Sequence, residues 1–273
     1  MKNMVNLCGI IALAVIIGFI MTACSDDPGD GGGGGKTALG DTPTLSGQVY
    51  VLQENPNGTF GFQEYTGDDL EPYLFFDYYL GDDTWTGYSL EGTIKNGQFS
   101  CTLLPPETEY LQALTTGEIE DHLFSAWKNV TVSPSTTQGY FFESFDLAGI
   151  AGQLFRESFS GSRGSGTLEA VMYMYVDKDA TVSGKGKTEK NDYYDEDEDI
   201  TYTYITTTKD FKMAFKKGWN TIYFKDQVSS STNKETRTMT ISLGNPDHLK
   251  WVLSIYDYED YSLNMSRLAR TRR

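Results

Sequence analysis

Along most of the chain after residue 44, apolar side chains recur at every second position with polar ones between them. In LSGQVYVL, Leu45, Gly47, Val49 and Val51 alternate with Ser46, Gln48 and Tyr50, so one face is largely apolar at a period of two and a strand is predicted. GTIKNGQFSCTLLPP repeats the pattern around Asn96-Gly97, a pair suited to a two-residue hairpin turn with positive φ at both positions. Phe99, Cys101 and Leu103 then share a face until Pro105-Pro106 ends the strand, which places Cys101 in the core as a small hydrophobe. NVTVS predicts another strand. TLEAVMYMYV carries Leu168, Ala170, Met172, Met174 and Val176 on one face and Val171, Tyr173 and Tyr175 on the other. Both faces are apolar, so this strand is expected at the centre of a sheet. FKMAFKKGWNTIYFK reads as two strands around Lys217-Gly218, TMTISL follows, and Leu249, Trp251, Leu253 and Ile255 alternate in the last clear strand. One stretch departs from the rule. In LAGIAGQLF, Leu147, Ile150, Ala151, Leu154 and Phe155 stand at helical spacing interrupted by Gly149 and Gly152, which predicts a loop or short helix over 148–164.

Short strands without long helices predict a mainly β chain with little helix, built as an antiparallel β-sandwich of one domain or two packed β subdomains. The pattern divides it into a first β region over 44–147, a second over 165–256 and a C-terminal tail over 257–273. Composition agrees: 39% hydrophobic content in 273 residues excludes disorder throughout, and 14% aromatics favour strands. The net charge of -16 repels phosphate backbones, so no nucleic-acid partner is expected.

The first residues are of another kind. Lys2 precedes an uncharged apolar run from Val5 to Met21, and small residues follow, so 1–23 reads as a secretory signal peptide. A membrane helix needs about 20 apolar residues and commonly has basic residues after it, whereas Asp26, Asp27 and Asp30 follow here. Met21-Thr22-Ala23-Cys24 resembles the lipobox of bacterial lipoproteins, with Met21 where Leu is usual, a relaxed form typical of spirochaete-type lipoproteins. That resemblance implies a diacylated Cys24 as the new N-terminus; the alternative is an ordinary signal peptide cut near Ala23 with Cys24 incidental. Residues 24–43 are Gly-rich and read as a tether with a reach of roughly 25 Å. Ser25 and the acids after it resemble sorting signals for the outer membrane or cell surface. With Cys8 in the signal and Cys24 acylated, Cys101 alone remains and no intramolecular disulfide is expected.

Catalytic motifs are scarce. His122 and His248 lie far apart without HExxH spacing, and Ser165 in RGSGT lacks the first glycine of a nucleophile elbow because Arg163 stands there. GKGKT at 184–188 suggests a phosphate loop, but Thr181 replaces the glycine that pattern requires. No cofactor is expected and the chain is read as non-enzymatic. Acidic clusters are numerous: Asp68-Asp69, Asp82-Asp83, Asp177 with Asp179, and NDYYDEDEDI. Asp195, Asp197 and Asp199 alternate and are candidate calcium ligands, without an EF-hand's glycine and terminal glutamate; a solvated loop is the plainer reading. Trp85 in GDDTWTGY, with Asp82 and Asp83, is a candidate ligand contact, an aromatic platform beside carboxylates that fix hydroxyls. Trp219 and Trp251 fall in strands and are expected to be buried. Arg267, Arg270, Arg272 and Arg273 make a basic tail on an acidic chain.

SGQVYV through GQFSCTLLPP is similar, over about 60 residues, to the transthyretin- or immunoglobulin-like modules of bacterial surface proteins, in which an SGxV strand precedes an NG(x)F strand. The whole chain is similar to spirochaete-type lipoproteins of uncharacterised function, a resemblance that brings no activity with it. The expectation is therefore a lipid-anchored, extracytoplasmic protein acting in binding, adhesion or envelope organisation, bound to the membrane through its N-terminal lipid and facing a glycan or a host or envelope protein. The alternative is a carbohydrate-binding or carbohydrate-active module.

Overall fold

The period-two pattern resolves into twenty strands in a computed structural model that describes residues 37–55, 60–79, 85–114, 119–162, 165–195 and 200–255. The first eight are β1 (Ala38–Gly40), β2 (Thr44–Glu54), β3 (Phe60–Glu64), β4 (Pro72–Tyr79), β5 (Trp85–Glu91), β6 (Thr93–Lys95), β7 (Gln98–Thr102) and β8 (Gln112–Ala113). β9 (Lys128–Ser133), β10 (Gln138–Phe142), β11 (Ser144–Leu147), β12 (Gly152–Ser162), β13 (Ser165–Val176) and β14 (Ala180–Lys185) follow. β15 (Thr188–Asp195), β16 (Ile200–Thr208), β17 (Phe211–Phe215), β18 (Gly218–Ser231), β19 (Lys234–Leu243) and β20 (Lys250–Ile255) complete the set. Helical structure among the described residues is a 3-10 turn at Thr108–Tyr110 and a π turn at Ile119–Phe124. No described helix is long and apolar enough to cross a membrane.

Seventeen strands form one open sheet, and β9, β14 and β17 form a separate small one. The chain is mainly β, as its alternation requires, with the layered packing of a β-sandwich. Its ladders are not all antiparallel: β2 pairs with β20 and β16 with β19 in parallel. The expected hairpin at Asn96-Gly97 is present, with φ of 49° and 73° joining β6 to β7. A Cβ on Gly97 would meet the Tyr65 carbonyl oxygen at 2.4 Å, so both conformation and space demand glycine there.

β13 organises the core. Val171, Tyr173 and Tyr175 join Trp219, Trp251, Phe142, Phe145 and Leu154 in one apolar cluster with Val49, Phe99 and Cys101 from the first β region. Met172, Met174 and Val176 point the other way, into a second cluster with Val182, Phe211, Met213 and Phe215 of the small sheet and with Leu123, Phe124 and Trp127. Residues 171–176 are thus buried on both faces, the central position that TLEAVMYMYV predicts. Trp219 and Trp251 are buried as expected, and Cys101 is buried with its thiol pushed up to about 11 by desolvation. Trp251 packs directly on the backbone of Gly47 and donates from Nε1 to the Ser46 carbonyl at 3.2 Å.

Two expectations are corrected. LAGIAGQLF forms no helix: a turn at 148–151, with Gly149 at φ 78°, leads straight into β12. Its helical spacing arises because Leu147 ends one strand and Leu154 lies in the next, both buried, while Ile150 is exposed. The Gly-rich stretch over 24–43, expected to be a tether, includes β1, whose Ala38 and Gly40 pair with Asn220 and Trp219 of β18. Lys217-Gly218 separates two strands as expected, and they go to different sheets: β17 pairs with β14 in the small one and β18 with β13 in the large one.

Candidate functional site

The long strands outrun the layers that bury them. In register, the sheet runs β12-β13-β18-β19-β16-β15. Along β13 the burial changes between Ala170 and Val171: residues 171–176 are buried, whereas 165–170 are half-exposed at every position. Residues 235–240 of β19 and 202–207 of β16 are half-exposed at every position too. Because successive side chains point to opposite faces, intermediate exposure at every position means that both faces of this end are only partly covered, Phe60 of β3 packing against Phe159 with ring centroids 5.3 Å apart.

The two faces differ in chemistry, since residues opposite one another in register share a face. One carries Phe159, Leu168, Val228 and Met239 around Asp226 and Arg237. Asp226 is 5% exposed and lies where the alternation of Phe224 and Val228 calls for an apolar residue. Arg237 Nε reaches both of its carboxylate oxygens, at 2.9 and 2.8 Å, so the buried charge is fully paired. The other face is a field of hydroxyls: Thr167, Thr236, Thr238, Thr240, Thr203 and Thr207, with Ser158, Ser160 and Ser229.

A polar cluster sits on this second face where the buried and half-exposed parts meet. Glu169 accepts from the Tyr223 hydroxyl, lies 3.2 Å from His248 Nε2 and pairs with Lys225 Nζ at 3.4 Å. Burial alone would raise the Glu169 pKa, but the hydrogen bonds from Tyr223 and His248 and the Lys225 charge hold it below the usual carboxylate range. Tyr223 is pushed up, by desolvation and by the carboxylate it faces. Both oxygens of Glu169 are engaged by protein donors, so the group fastens the loop bearing His248 to β13 and is poorly placed to act as a general base.

The sequence-predicted chemistry fares unevenly. Cys24, Asp82, Asp83, Asp197 and Asp199 lie outside the described residues. Trp85 opens β5 opposite Tyr79, and Asp195 ends β15 opposite Ile200; their side chains are outside the description. Among the described residues no group of three or more His, Cys, Asp or Glu could hold a metal ion. Trp127 joins Trp219 and Trp251 in the interior, its Nε1 donating to the Lys209 carbonyl at 2.7 Å. Asp179, from an acidic cluster, accepts from the Lys217 amide at 2.8 Å and from Lys216 Nζ at 3.0 Å, and these bonds hold its pKa down. GKGKT offers no anion cradle. The Gly186 amide and Lys185 Nζ both go to Asp210, and the Lys187 amide to Thr208 Oγ1. Neither the Asp226–Arg237 pair nor the Glu169 cluster was foreseen; the available signal was a charge standing in the apolar phase of FKDQV. No family model, curated protein or solved structure matches the chain.

Proposed function

We propose that this chain is a non-enzymatic, lipid-anchored protein of the outer membrane or cell surface, held through Cys24 and presenting the partly covered end of its large sheet for binding or envelope organisation. One observation supports the binding part of this reading. Six strands carry an end that is only partly covered on either face, and the two faces are chemically distinct, one of them rich in threonine and serine hydroxyls. A partly covered polar platform is suited to contact. The lipobox-like MTAC and the glycine run after it support the anchor.

Mass spectrometry of the full chain recovered from its native membrane tests the anchor: a diacylated N-terminal Cys24 is expected, and an unmodified Cys24 overturns it. Cells displaying the full chain test the platform. Thr238→Lys, on the open hydroxyl face and away from both cores, should reduce adhesion to envelope glycans or proteins without changing surface abundance; undiminished adhesion counts against the platform.

A further inference from the structure

The partly covered end of the large sheet has an edge as well as faces. β15 pairs with β16 alone among the described strands, and each of residues 188–194 is exposed. Over 188–193 no other described strand therefore takes the backbone donors and acceptors of its outer side, the usual template for strand addition. Natural edges commonly block this with charge. Here the charges are arranged so that one particular partner turns them from a block into a match.

We propose that β15 pairs antiparallel with β15 of a second copy of this chain, about a two-fold axis through Asn191, joining two partly covered sheet ends into one continuous sheet. An isologous edge contact of this kind places residue i against its mirror position across the axis. With Asn191 opposite Asn191, each Lys190 faces Asp192 of the other copy, and position 187, a lysine, faces position 195, an aspartate. Lys190 and Asp192 already lie together on one face within a chain, Nζ to Oδ2 at 2.8 Å, and Asp192 also accepts from Thr203 Oγ1 at 2.7 Å. Across the axis the two pairs make a four-charge ring of alternating sign. A shift of the axis by one residue either way sets Lys190 against Lys190 or Asp192 against Asp192 and is repulsive, so the charges select the register. An axis normal to the sheet keeps like faces together, and the hydroxyl field doubles in width.

This inference rests on the reading of the partly covered end as a contact surface but not on the anchor, and it names the contact as another copy. A contact limited to one strand edge is small, so the free association is weak, of micromolar order. Confinement to a membrane raises the effective concentration and makes it relevant.

The test uses the full chain in detergent, followed by sedimentation from about 1 to 200 µM, a range that brackets a micromolar constant. The expected result is a concentration-dependent passage from one copy to two. Lys190→Asp and Asp192→Lys each place like charges across the axis and should weaken dimerisation at least tenfold with unchanged circular dichroism. Mixing the two variants restores both opposite-charge pairs and should recover the dimer. Asn191→Cys, whose thiols face one another across the axis, should cross-link spontaneously at doubled mass on a non-reducing gel, which also reports on pairing if a charge variant misfolds. A single copy at every concentration overturns the proposal, as does a dimer indifferent to both charge reversals or Asn191→Cys that remains uncross-linked. An unmodified Cys24 would sink the anchor and leave the sedimentation and charge-reversal outcomes untouched, and a parent chain run beside Asn191→Cys on the gel reports any cross-link through Cys24.

Discussion

Glu157 shows how a single residue's setting becomes a pH dependence. It lies in β12 opposite Ala170, half-buried, and its pKa is pushed up to about 7 by burial and then by the nearby charge of Glu143. In the unfolded chain the group titrates near its ordinary value of about 4.3. Between those two pH values the native state holds a proton that the unfolded state has released, so stability falls as pH rises through this window and levels off above it. The ceiling on the loss is roughly 4 kcal/mol, from 1.36 kcal/mol per pKa unit. Glu157→Gln imitates the protonated group. Thermal unfolding should show the variant more stable than the parent by several degrees at pH 8 and indistinguishable from it near pH 4.5. Equal melting temperatures at pH 8 would show that the carboxylate is comfortably solvated where it stands.

Among the elements, the β6–β7 hairpin is the clearest case of sequence dictating structure. Asn96-Gly97 supplies two positive φ angles, and the amide of Asn96 is further held by Asp69 Oδ1 at 3.2 Å. Gly97→Ala should cost more than the roughly 1 kcal/mol typical of a strained glycine site, because its Cβ meets the Tyr65 carbonyl as well. Urea unfolding would register this as a lower midpoint at constant slope, and an unchanged midpoint would show that the Tyr65 strand end yields freely. Elements like this one were legible because their signal is local: a turn pair, a run of alternation, a proline stop. TLEAVMYMYV was legible for the same reason, its two apolar faces needing two layers. Leu147 to Phe155 misled because apolar residues from two strands happened to fall at helical spacing across a turn. Pairings such as Val49 with Trp251 and Thr203 with Lys234 were not legible, since register between distant segments is set by packing that no local pattern records. The same limit hid the candidate surface. Where both faces of a strand are half-exposed, as in TYTYITTT, threonine and tyrosine satisfy either side and leave no amphipathic phase to read.

For the whole molecule, the step in burial along β13 implies a step in local stability. Val171 to Val176 lie between two apolar clusters, and exchange of their backbone amides requires that both covering layers be breached. Ser165 to Ala170 are held by the same ladders, to β12 and β18, but each of them stays half-exposed. Opening free energies in one protein range from near zero to the global value, and the low end belongs to segments with few buried apolar contacts. The partly covered end should therefore open as a unit below the energy of global unfolding, led by its edge strand β15. Hydrogen exchange at low micromolar concentration should show amides 188–195 exchanging first, 165–170 and 234–240 next, and 171–176 last. Uniform protection along β13 would mean that the projecting end is fully covered after all, and with it the proposed contact surface would go. A selective gain of protection over 188–195 as concentration rises would instead place the second copy on that edge.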